Sequence, residues 1–216
     1  MHDILLINPN TSKATTAMMV DIAQAEAPHG FVVRGVSAPR GEPMILSAPQ
    51  LEAAAAGVVE IGLQHRGTAQ GIVISAFGDP GIDALRAIVD VPVVGICEAS
   101  ILEAAQGGRR FGIATVTPDL VVPINAKVHA LGVGVHYTGI RLTSGDPLAL
   151  AADPARLLEA LALAVAACID EDRAEAVVIG GGPLGQAAKE LEMQFSVPVI
   201  APIPAAMRLL LEKIAL

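Results

Sequence analysis

Runs of consecutive apolar residues alternate along this chain with stretches in which apolar positions return every three or four residues. That is the alternation of buried strands with amphipathic helices. In the first half, Ile4 to Ile7 predicts a strand that ends at Asn8-Pro9-Asn10-Thr11-Ser12, with a helix from Ser12 to Ala25. Phe31 to Val36 is the next strand and Gln50 to Leu63 an alanine-rich helix. Gly71 to Ser75 is a strand, and the turn Phe77-Gly78-Asp79-Pro80-Gly81 leads into a short helix that reaches Val89. Val93 to Ile96 and Glu98 to Gln106 close the half as strand and helix. The βαβα order predicts a parallel sheet with helices on both faces.

The second half runs through the same order. Arg110 to Ala114 is a strand that ends at Thr115-Val116-Thr117-Pro118, followed by a helix to Leu131 and a strand near Gly134 to Tyr137. Pro154 to Cys168 is a long helix, Ala176 to Ile179 a strand that ends in Gly180-Gly181-Gly182-Pro183, Val199 to Ala201 a strand, and Ala205 to Ile214 the last helix. The register of the repeat is fixed by short matches. Val91-Pro92-Val93-Val94 matches Val197-Pro198-Val199-Ile200 at an offset of 106 residues, and Val73-Ile74 matches Val178-Ile179 at 105. A duplicated α/β fold of two pseudo-symmetric parallel-sheet lobes follows, with one lobe from residues 1–96 plus 201–216 and the other from 97–200. No Ser/Gly-rich linker separates them, so tight joining is expected. Ligands of open parallel sheets bind beyond the carboxyl ends of the strands. If those ends face each other, one cleft lies between the lobes.

Composition narrows the functional classes. Hydrophobic residues make up 53% of the chain and aromatic residues 2%, so the core is aliphatic, as parallel strands under packed helices require. A net charge of -8 disfavours nucleic acid and anionic membranes, both of which call for a basic face. Two cysteines without a CxxC pair suggest neither a disulfide framework nor a metal centre. No apolar run reaches the length of a membrane span, and Met1-His2-Asp3 lacks a basic leader region. A cytoplasmic protein with a small-molecule ligand is expected.

The chemistry lies in the loops. Asn8, Asn10 and Thr11 stand before a helix N-terminus, where they either cap the helix or bind a carboxylate or imide oxygen. Free N–H groups at Phe77 and Gly78 could hold an oxyanion. Asp79 before Pro80 reads as a helix cap or a ligand-binding acid, and Ser75 faces either core or cleft. Gly180 to Gly185 formally matches GxGxxG, but no acid stands near Pro202 to Ala206, where a dinucleotide site needs one. A main-chain nest for a small carboxylate or imide, built on Gly181, Gly182 and Pro183, fits better. Cys97 and Glu98 directly follow a strand, Cys97 as a reactive thiol or a small buried hydrophobe and Glu98 as a base or a supporting acceptor. Thr117 is a further candidate reactive group, and His136 and Tyr137 are weaker ones for the cleft. No His/Asp/Glu spacing indicates a metal.

Five segments carry a family resemblance. ILLINPNTS (Ile4–Ser12), FGDPG (Phe77–Gly81), VPVVGICEAS (Val91–Ser100), RFGIATVT (Arg110–Thr117) and VVIGGGPLG (Val177–Gly185) together resemble the aspartate/glutamate/hydantoin racemase superfamily, most closely its hydantoin and allantoin racemase branch. The resemblance implies two pseudo-symmetric lobes, no cofactor, frequent homo-oligomers and a cleft in which two facing cysteines exchange a proton at the substrate's acidic carbon. In this chain the two cysteine positions hold Ala76 and Gly181. Neither side chain can exchange a proton, while two-base racemisation needs an acid and a base on opposite faces.

Three readings follow. The first is a cofactor-independent enzyme acting on a small anionic or hydantoin-like substrate by ring hydrolysis, bond-cleaving elimination or decarboxylation. It would use Ser75, Cys97, Glu98 and Thr117 as reactive groups, with amides at Phe77–Gly78 and Gly181–Gly182 stabilising an enolate or oxyanion. The second is a racemase with substitute acid and base residues. The third is a non-catalytic binding protein on the same scaffold.

Overall fold

In a computed structural model, residues 2–215 are described. They form eight strands and nine α-helices. The first half contains β1 (His2–Asn8), α1 (Lys13–Glu26), β2 (Phe31–Ser37), α2 (Ala48–His65), β3 (Gly71–Ile74), α3 (Ile82–Arg86), β4 (Val93–Gly95) and α4 (Ile96–Ala104). The second contains β5 (Phe111–Thr115), α5 (Val121–Ala130), β6 (Tyr137–Leu142), α6 (Pro147–Ala151), α7 (Pro154–Asp170), β7 (Ala176–Ile179), α8 (Gly185–Glu192), β8 (Val199–Ile200) and α9 (Pro202–Ile214). Short 3-10 turns precede α5, β6 and α8.

The strands make two four-stranded parallel sheets of equivalent order, β2-β1-β3-β4 and β6-β5-β7-β8. Side chains of successive strand residues leave on opposite faces, and the burial pattern follows that rule. Leu5 and Ile7 of β1, with Ile72 and Ile74 of β3, pack under Val58 and Ile61 of α2 and Leu85 of α3. Ile4, Leu6 and Val73 point the other way. In the second sheet Ala114, Val177 and Ile179 meet Leu161, Val165 and Cys168 of α7 and Leu191 of α8.

The remaining faces share one core. Ile4, Leu6 and Val73 belong to the same buried cluster as Phe111, Ile113 and Val178 of the second sheet, joined through Met19, Ile101, Ile124 and Met207. The packing crosses the chain order. Helix α4, which follows the first sheet, touches β7 and β8, while the final helix α9 packs on β3 and β4. Each fully buried Leu, Ile or Met contributes about 1.5–3 kcal/mol by leaving water, so the shared cluster is a large part of what holds the two sheets together.

Several sequence expectations need correction. The strand placed near Gly134 to Tyr137 starts at Tyr137 and runs to Leu142; Gly134–His136 is a 3-10 turn. Register with β5, which pairs Phe111 with Tyr137 and Thr115 with Leu142, selects the later segment. Helices α6 and α8 were not predicted. α6 is one turn long, and α8 joins directly onto the glycine turn, so neither shows a long apolar period. Helix α1 is capped by neither Asn10 nor Thr11: the Ser12 hydroxyl accepts from the Thr15 N–H at 3.2 Å.

Candidate active site between the two sheets

The loops after β1, β3, β5 and β7 converge on a cavity of about 330 Å³, within the usual size range for small-molecule sites. Ser75, Ala76 and Phe77 reach it from the first half, and Val116, Thr117, Gly180, Gly181, Gly182 and Pro183 from the second. Asn10 lines it as well. Ala76 and Gly181, separated in sequence by the repeat offset, therefore open onto one space. Gly181 has extended backbone, and a Cβ built there would lie 2.9 Å from Leu184 Cδ1. Leu184 thus occupies the volume that a side chain at 181 would need.

Several residues that line this space have main-chain N–H groups without a partner among the described residues. Ser75 N donates to Ile7 O and Gly181 N to Ile179 O, while the N–H groups of Ala76, Phe77 and Gly182 meet no protein acceptor among the described residues. Of the four amides expected to stabilise an enolate or oxyanion, Gly181 is therefore already engaged and Gly78 lies off the cavity wall. Asn10 is fixed by accepting at Oδ1 from Asn8 Nδ2 at 2.7 Å and Ser12 N at 3.0 Å. Its own carboxamide N–H groups remain for a ligand. The expected hydroxyls are less free. Ser75 Oγ donates to Ile7 O at 2.9 Å, and Thr117 Oγ1 pairs with Thr115 Oγ1 at 3.3 Å. Neither has the adjacent base that activates a nucleophilic hydroxyl.

Other predicted residues lie behind the wall. Asn8 is fully buried, with its amide donating to Asn10, Ser12 and Thr16, so it organises the loop. Thr11 ties the loop to the 38–47 segment through its N–H to Glu42 O at 3.0 Å. Cys97 sits in the shared core with no exposed surface. Burial, then the neighbouring Asp79 carboxylate, push its thiol well above the ordinary range. Glu98 forms an ion pair with Arg86. The structure thus places neither Cys97 nor Glu98 at the cavity, because the strand ends at Gly95 and both belong to helix α4. Cys168 is buried under the second sheet, so no thiol lines the cavity. His136 and Tyr137 are also absent from its wall, and the Tyr137 hydroxyl donates to Asn125 Oδ1 at 2.7 Å.

Asp79 caps a helix, but not the one that its sequence position suggests. Its carboxylate accepts from Cys97 N at 2.9 Å and Glu98 N at 2.8 Å, at the start of α4, while Lys127 Nζ of α5 lies 3.5 Å away. The close approach leaves no room for a Cβ at residue 95, which would fall 2.1 Å from Asp79 Cγ. Gly95 therefore makes the cap possible, and the cap fixes the loop that carries Ala76 and Phe77.

Sequence reading missed the apolar and outer walls of the cavity. Met18, Met44, Ile45, Leu51, Leu157 and Leu158 provide the former, Gln186 and Glu190 of α8 the latter. Their spacing is ordinary for helices and loops, so no local signal marks them. Among the described residues no cluster of three His, Cys, Asp or Glu is arranged to hold a metal ion.

Two parallel sheets of equivalent topology, sharing a core and enclosing a cavity between their strand ends, define a duplicated α/β scaffold. The sequence profile of the Asp/Glu/Hydantoin racemase family matches residues 4–210, and the chain belongs to that family. It is 32% identical to a hydantoin racemase of Paenarthrobacter aurescens, covering 99% of this chain and 91% of the relative, and 33% identical to one of Rhizobium meliloti, covering 97% and 87%. The solved allantoin racemase of Klebsiella pneumoniae superposes with a TM-score of 0.94 at 31% identity, covering 100% of this chain and 88% of that one. No helix among the described residues is long and apolar enough to cross a membrane.

Proposed function

We propose that this protein is a cofactor-independent cytoplasmic enzyme. It takes a small hydantoin-like ring into the cavity between the sheets and acts on it without two-thiol racemisation. The observation that carries this reading is that Ala76 and Gly181 both line one cavity, whose lining includes neither cysteine of the chain. A ring carbonyl near Ala76, Phe77 and Gly182 would meet their unpaired N–H groups. Charge developing on that oxygen in ring hydrolysis, elimination or decarboxylation would be stabilised there, each preorganised donor being worth roughly 3 kcal/mol. Water supplies and removes protons, since neither Ser75 nor Thr117 has a base beside it. Racemisation with substitute residues is less well supported, because it calls for titratable groups on two opposed walls. The two free, buried cysteines agree with a reducing compartment.

A panel of substituted hydantoins and their ring-opened acids, followed by chromatography and by deuterium uptake at the ring carbon in heavy water, tests the reading. Conversion is expected without appreciable deuterium uptake in recovered substrate, and loss of both binding and conversion in Ala76→Leu, which fills the cavity. Rapid exchange at the ring carbon would instead establish a racemase. The absence of activated hydroxyls favours one second reading, a protein that binds such rings without turning them over. Calorimetric binding with no conversion would establish it.

A further inference from the structure

Charge is distributed unevenly around the cavity. Among the described residues that line it, only Glu190 carries an ionisable side chain, and none is Lys, Arg or His. Glu190 is exposed and forms no ion pair or hydrogen bond among the described residues. It stands on α8 one turn after Gln186, which also lines the cavity; residues four apart share a helix face. An anionic ligand would enter an acidic protein, meet this carboxylate and find no cation to offset it. A neutral ligand would leave the carboxylate unused.

We infer that Glu190 selects a ring ligand bearing a cationic substituent, an ammonium or guanidinium group on an aliphatic stem. The inference rests on the reading of the cavity as a hydantoin-like ring site. With the ring held at the main-chain donors, an aliphatic stem packs on Met44, Leu157 and Leu158, as the stems of long charged side chains do on apolar surface. The cationic head remains partly hydrated beside the Glu190 carboxylate, and the Gln186 carboxamide oxygen supplies a second acceptor. Glu190 is thus a specificity-determining residue outside the group of donors that act on the ring.

Calorimetry with three hydantoins of matched length tests this, their ring carbons bearing aminobutyl, butyl or carboxypropyl chains. The wild-type protein should bind the aminobutyl compound most tightly and the carboxypropyl compound most weakly. Glu190→Gln should lower affinity for the aminobutyl compound by up to about fivefold, the range of an exposed ion pair, and leave the butyl compound unchanged. Glu190→Lys should reverse the order of the two charged ligands. Equal affinity for all three, or a cation preference that survives Glu190→Gln, overturns the inference while the ring site stands. Binding of none of the three removes the ring site and the inference with it. An unchanged urea midpoint for each variant shows that the exposed substitution has left the fold intact.

Discussion

At the scale of single residues, Asp79 connects the fold to the site most directly. Its backbone is left-handed, with φ 52°, a conformation that Asp tolerates better than most residues but that still has a cost. The carboxylate bonds to two amides of α4 and the Lys127 ammonium offset that cost. Burial pushes the Asp79 carboxyl from its ordinary 3.8 to about 6, against the opposing pull of Lys127 and the Cys97 amide. A folded-state value above the unfolded one means that folding is favoured by the proton. The contribution is complete below about pH 4 and lost as pH rises through about 6. The difference corresponds to about 3 kcal/mol. Urea titrations should therefore show the stability of the wild type relative to Asp79→Asn falling by about that amount between pH 4 and pH 7. A difference that stays constant with pH would show that Asp79 does not titrate in this window. FGDPG showed that Asp79 sits in a turn, but the helix it caps begins 17 residues further on. No local rule could have named that partner.

At the scale of elements, α9 belongs in space with the first sheet, as the assignment of residues 201–216 to the first lobe expects. It is last in the chain, and Met207 and Leu210 are fully buried in the shared core while the helix packs on β3 and β4 of the first sheet. Met207→Ala should cost about 2–5 kcal/mol, as large-to-small changes in tight cores do, measured by equilibrium urea unfolding. A loss below about 1 kcal/mol would mean that α9 is not tightly seated on the first sheet. Strands β1, β3, β4, β5, β7 and β8 were readable because parallel strands buried on both faces are continuous apolar runs. Strand β6 was placed too early: the Tyr137–Leu142 segment is only partly buried and contains a glycine and an arginine. Its pairing with β5, rather than its own hydrophobicity, makes it a strand.

At the scale of the whole molecule, both sheets contribute to one buried cluster. The two halves should therefore unfold together. Thermal and urea denaturation, followed by circular dichroism, should give a single coincident transition, and a ligand that fills the cavity should raise stability by about 2.7 kcal/mol at a hundredfold excess over its Kd. Two separate transitions would show that the halves are energetically independent. The cavity lies where the four loops meet, so ligand binding draws on this same tertiary arrangement.

The order of residues alone settled the α/β class, the duplication, the aliphatic core and the presence of Ala76 and Gly181 at the two glycine-turn positions, because periodicity and repetition are one-dimensional signals. Folding in three dimensions chose which of the loop residues meet. It brought Ala76 and Gly181 to one cavity, withdrew Cys97 and Glu98 into α4, and added Glu190 from a helix with no long apolar period. Those outcomes depend on strand ends only a residue or two from the expected ones and on contacts between segments far apart in the chain, neither of which hydrophobic spacing can encode.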